Sequence, residues 1–78
     1  MIPIPTDPNT RLSRAEAAQA LTAAGYKISA ATLASMATRG GGPRYRIFGH
    51  GVDYSWGDLL DWAEARVQYR GGDPAKAA

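Results

Sequence analysis

Residues 12–39 read LSRAEAAQALTAAGYKISAATLASMATR, and the fold turns on how this stretch is divided. Ser13 followed three residues later by Glu16 is a capping box, in which the serine hydroxyl accepts from the Glu16 backbone and the glutamate reaches back to the Ser13 N–H. Ala15 to Ala24 is then almost all alanine and leucine, and Gly25 stands where a helix end favours a left-handed residue. A first helix is therefore predicted over Arg14 to Ala24. Ser29 is a second N-cap, close behind that glycine, and a second helix is expected to run through Arg39. Two helices joined by so tight a glycine turn make a helix-turn-helix. On the second helix Leu33, Met36 and Ala37 share the apolar face, leaving Ala31, Ala34, Ser35 and Thr38 on a small, lightly polar outer face.

Upstream, Met1 to Thr10 holds Pro3, Pro5 and Pro8, which fix φ and remove backbone donors, so residues 1–10 read as an extended arm. Downstream, Gly40-Gly41-Gly42-Pro43 ends the second helix. Arg44 to Phe48 and Val52 to Tyr54 are β-prone runs around Gly49-His50-Gly51, which predicts a hairpin. Ser55 with Asp58 three residues on opens a third helix, predicted over Trp56 to Tyr69 with Leu59, Trp62, Ala63 and Val67 inward. Tyr45, Phe48, Tyr54 and Trp62 are expected in the core, because so small a domain needs its aromatics inside. Gly71-Gly72 stops the helix and residues 71–78 read as a flexible tail. The fold class is mainly α with a small two-stranded hairpin, in one domain over residues 11–70.

Seventy-eight residues allow one domain with a small core, and with no cysteine neither a disulfide nor a thiolate metal site supports it. The first ten residues lack a basic start before an apolar run, and no apolar stretch reaches membrane-spanning length, so the expectation is a cytoplasmic protein without membrane contact. The net charge of +2 is unevenly distributed. Residues 11–50 carry Arg11, Arg14, Lys27, Arg39, Arg44 and Arg46 against Glu16 alone, whereas residues 51–78 hold more acids than bases. A basic front and an acidic rear helix suit a molecule with one face for a polyanion. His50 is the single histidine and has no partner with which to hold a metal. Gly40-Gly41-Gly42 is followed by proline and a strand, unlike a phosphate loop. No nucleophile with a base is evident, so neither an enzyme nor a cofactor is expected.

The order helix, turn, helix, hairpin, helix carries Leu12-Ser13-Arg14-Ala15-Glu16-Ala17-Ala18 at its front and Gly41-Gly42-Pro43 after the second helix. Gly49-His50-Gly51-Val52-Asp53-Tyr54, Asp58-Leu59 and Trp62 follow. Over about residues 11–67 this resembles the excisionase branch of the MerR-like winged helix-turn-helix proteins. The resemblance implies a recombination directionality factor that bends attachment-site DNA so that an integrase excises a mobile element. This chain departs from the family at the wing. His50, Gly51 and Asp53 stand where basic residues are usual, and Ile47 replaces a lysine or arginine.

On that resemblance the second helix enters the major groove with Ala31, Thr32, Ser35 and Thr38 toward the bases and Arg39 toward a phosphate. None of the small residues toward the bases makes the bidentate pairs that read guanine or adenine, so base readout is expected to be poor. Arg11, Arg14, Lys27, Arg44 and Arg46 are candidate phosphate contacts, with His50 at the wing tip. Weak readout points to cooperative copies on DNA. Ile2, Ile4 and Ile47 are candidate apolar contacts between copies, and Asp58, Asp61 and Glu64 are their candidate acidic counterpart. Ordinary helix-dipole complementation accounts for the acids equally well. Two alternatives share the fold: a transcriptional regulator, and a protein-interaction module without DNA binding.

Overall fold

Both halves of the predicted capping box form. In the computed structural model, which describes residues 4–71, Ser13 Oγ accepts from the Glu16 N–H at 3.1 Å and Glu16 Oε1 accepts from the Ser13 N–H at 2.9 Å. They open α1 (Arg14–Ala23). Its far end closes as the position of Gly25 predicts: that glycine takes φ 104°, its N–H donates to Thr22 O at 3.1 Å, and Tyr26 N–H donates to Leu21 O at 2.8 Å. That pair of bonds satisfies carbonyls the helix would otherwise leave open. Thr22 Oγ1 then donates to the Ile28 carbonyl at 3.1 Å and accepts from its N–H at 3.3 Å, which fixes the entry to α2 (Ala30–Arg39). Ser29 caps α2 by accepting from the Thr32 N–H at 3.1 Å.

Behind α2 the chain passes through Gly40-Gly41-Gly42 and the buried Pro43 into β2 (Arg46–Phe48) and β3 (Gly51–Ser55). Gly42 lies so close to α2 that a Cβ there would meet Met36 Cβ at 2.8 Å, so this position takes no side chain without a shift of the helix. Ser55 caps α3 (Trp56–Arg66), accepting from the Asp58 N–H at 3.2 Å.

The sheet differs from the expected two-stranded hairpin. It has three antiparallel strands in the order β1-β3-β2, because Arg11–Ser13 forms a strand, β1, paired with Ser55, Tyr54 and Asp53. Two further bonds, from Trp56 N–H to Thr10 O at 3.0 Å and from Gly57 N–H to Pro8 O at 2.9 Å, continue the attachment into the segment before it. The end of the expected arm is therefore tied to the start of α3. Three residues are too few to show a period, and their partners lie 40 to 44 positions away, so local pattern carries no sign of this strand.

One face of the sheet packs on the helices. Leu12 opposes Tyr54, and both are buried with Ala17, Ala20 and Leu21 of α1, Leu33 of α2 and Trp56, Leu59 and Ala63 of α3. Alanine dominates α1's contribution, which lets that helix lie close to its neighbours but leaves a small core. Two expected core aromatics lie elsewhere: Phe48 is 81% exposed and Tyr45 37%. Alternation explains Phe48, since it opposes Gly51 and so shares the outer face of the sheet with Asp53 and Ser55. Tyr45 lies before the strand and packs its ring 6.0 Å from that of Tyr54. Trp62 is half-buried, and Trp56, given no core role in the sequence reading, is buried. The third helix stops at Arg66, short of the expected Tyr69; Val67 and Tyr69 are exposed, so continuing the helix would bury nothing. No helix among the described residues is long and apolar enough to cross a membrane.

Candidate nucleic-acid interface

At 100° per residue, Ala31, Thr32, Ser35, Thr38 and Arg39 fall within an arc of about 120° on α2. Leu33 lies roughly opposite its centre and is fully buried. The second helix therefore turns this arc outward; Ala31, Thr32, Thr38 and Arg39 are exposed and Ser35 is half-buried. Its hydroxyls are largely engaged at home. Thr32 Oγ1 lies 2.9 Å from Ser29 Oγ, and Thr38 Oγ1 donates to Ala34 O at 3.3 Å. The arc offers a smooth surface of small groups, closed at its end by the Arg39 guanidinium.

Apart from Arg14, the expected phosphate contacts divide into two sets. Lys27 in the turn, Arg39 and Arg44 are exposed and, among the described residues, form no ion pair. Arg11 and Arg46 converge instead on one acid, Asp53, from the two strands flanking β3. Arg46 donates from Nε to Oδ1 at 3.1 Å and from NH2 to Oδ2 at 3.0 Å. Arg11 donates from Nε at 3.0 Å and also from NH2 to the same Oδ1. The Arg46 hydrogen bonds, and next those of Arg11, hold the Asp53 carboxyl below the usual carboxylate range, while Asp53 pushes the Arg46 guanidinium up. Each arginine uses two of its five donors on Asp53, so the remainder stay available to an outside anion. Arg11, Arg44 and Arg46 together line an open polar depression of about 460 Å³ with Asn9, Ser55 and Asp58.

Arg14 is set apart from this group. It is half-buried and donates from Nε to the hydroxyl of the buried Tyr54 at 3.1 Å, which gives it a structural task. His50 is exposed in the turn between β2 and β3.

The candidate contacts between copies are also dispersed. Ile2 lies outside the described residues, Ile4 is exposed, and Ile47 is 67% exposed at the end of the hairpin. Ile47 opposes Val52 and so points to the side of the sheet that carries the core, but beyond the packed body. Asp61 is exposed, whereas Asp58 is half-buried beside the arginine depression. Glu64 accepts from the Tyr26 hydroxyl at 2.5 Å, a bond that raises the Tyr26 pKa and ties α3 to the turn between α1 and α2.

Some contacts on this surface escape the sequence reading. In the sequence Asp53 reads only as an acid where a base is usual, although an acid between basic flanks is the pattern that cross-strand ion pairing uses. Trp62 donates from Nε1 to the Gly41 carbonyl at 2.9 Å, anchoring the glycine linker against α3, and Arg66 lies 5.0 Å from the Trp62 ring. The sequence places Trp62 inward and a half-buried indole usually finds an acceptor, but which carbonyl it meets depends on the tertiary fold. No protein-family model matches the chain, and no curated protein matches it.

Proposed function

We propose that this chain is a winged helix-turn-helix protein that binds double-stranded DNA, with α2 in the major groove and the β2–β3 hairpin as the wing. The observation that carries the reading is the outward arc of α2, small in side chain up to Arg39 at its end, with Lys27 in the turn before the helix and Arg44 five residues beyond it along the chain; these three cations are exposed and form no ion pair among the described residues. Apart from Arg39, the arc has no side chain that pairs bidentately with a base, and such a surface with exposed cations beside it binds chiefly through the phosphate backbone and discriminates sequence weakly. Arg11 and Arg46 add to it with the donors that Asp53 leaves free, and His50 completes the wing tip.

Such a protein serves best as an architectural factor. The resemblance of residues 11–67 to excisionases gives that role a setting: a recombination directionality factor, nucleoid-associated in the cytoplasm, that bends attachment-site DNA for an integrase. Several copies act together, with Ile4 and Ile47 of one meeting the α3 surface around Asp61 of the next.

Bending is the property to test. A duplex of about 40 base pairs labelled at both ends should show rising energy transfer as protein is added, because an architectural protein shortens the end-to-end distance. Binding without any such change would favour a transcriptional regulator on the same surface, and absence of binding would leave an interaction module.

A further inference from the structure

Phe48 is a large apolar side chain held out into solvent by a regular strand. It is 81% exposed, and register explains why nothing covers it: the residue opposite is Gly51, so no cross-strand side chain lies beside the ring. Alternation places Phe48 on the same outer face as Arg46, two residues earlier on β2, with Arg11 on β1 across Asp53. Arg44 lines the depression that these two arginines share. The outer face of the sheet thus presents an uncovered aromatic ring at one end of a row of cations. Of the two acids beside these cations, Asp53 is already held by Arg11 and Arg46, and Asp58 is half-buried at the edge of the depression.

An aromatic face beside guanidinium groups is the chemistry that receives a nucleobase: the ring stacks on the base while the cations meet the phosphates on either side of it. A second copy meeting this one through the same face is a poorer fit, because it would bring Arg11, Arg44 and Arg46 against their own counterparts. We propose that Phe48 is a base-contacting residue, its ring stacking on a nucleobase while Arg46 and Arg44 hold the adjoining phosphates. This rests on the DNA-binding reading above. The base comes either from a duplex step that the ring wedges open, which kinks the helix, or from an unpaired strand.

The test compares the intact chain with Phe48→Ala, Phe48→Tyr and Arg44→Ala on an arbitrary duplex and on the matching single strand, each carrying 2-aminopurine, over a range of salt. Phe48→Ala should weaken binding about five- to a hundredfold with the salt slope unchanged, since it removes stacking and no cation, and Phe48→Tyr should restore it. Brightening of 2-aminopurine at one duplex step, lost in Phe48→Ala, identifies the wedge. A loss confined to the single strand identifies an unpaired base, and either supports the proposal. Binding by Phe48→Ala equal to the parent's, while Arg44→Ala flattens the salt slope, overturns it and leaves the DNA-binding reading standing. Loss of self-association alone, with DNA affinity intact, overturns it as well. If the parent binds neither strand form at low salt, the DNA-binding reading falls and Phe48 with it. The side chain's exposure means that the thermal transition of Phe48→Ala should match the parent's, which verifies that affinity and not folding is being read.

Discussion

Arg46 on β2 donates to both carboxylate oxygens of Asp53 on β3, at 3.1 and 3.0 Å, and this is the contact that joins the hairpin's outer strand to the centre of the sheet by side chains. Arg11 approaches the same carboxylate from β1, so one acid links all three strands.

That linkage gives stability a defined pH dependence. The native Asp53 pKa is lowered, so the carboxylate's contribution is present above its unfolded value of about 3.9 and is lost as pH falls through the lower native value. Asp53→Asn should therefore lower the thermal midpoint near pH 7, and the gap to the parent should close as pH drops well below about 4. A gap that persists unchanged to strongly acid pH would mean that the charge of Asp53 is not what holds the strands.

The two tryptophans should separate by burial. Trp56 is 3% exposed, and Trp56→Ala is expected to cost about 3 to 5 kcal/mol, close to the whole stability of a domain this small. Trp62 is half-buried, so Trp62→Ala should cost less, roughly 2 to 3 kcal/mol including the bond to Gly41. Urea midpoints measure both. A larger loss at Trp62 would place it, and not Trp56, at the centre of the core.

How far the sequence reveals this molecule follows from the range of the interactions involved. Ser13, Ser29, Ser55 and Gly25 act within four residues of themselves, and each does what its neighbours predict. β1, the outward turn of Phe48 and the tie at Asp53 depend on which strand lies beside which and in what register. A one-residue slip would reverse them, and three-residue strands carry too little pattern to fix it. The candidate site divides the same way. The outer arc of α2 is readable from helical period, whereas the pairing of Arg11 and Arg46, and the diversion of Arg14 to Tyr54, needed the tertiary fold.

Cooperativity on DNA should depend on Ile47. It is 67% exposed on a hairpin that extends past the packed body, and a contact between adjacent copies raises affinity without new base contacts. On a duplex spanning several sites the parent should give a sigmoidal isotherm, and Ile47→Glu should flatten it with little change in affinity for a single-site duplex. Equal cooperativity in both proteins would remove Ile47 from the contact.

The central claim, that exposed cations at the two ends of α2 and on the outer face of the sheet bind the phosphate backbone, is tested most directly by the salt dependence of affinity for an arbitrary duplex of about 20 base pairs. With Lys27, Arg39 and Arg44 free and Arg11 and Arg46 contributing through their remaining donors, the slope of log affinity against log salt should lie between about −3 and −5. Arg44→Ala should reduce its magnitude by about one, whatever the sequence of the duplex. No measurable binding at low salt, or affinity indifferent to salt and to Arg44, would contradict the account.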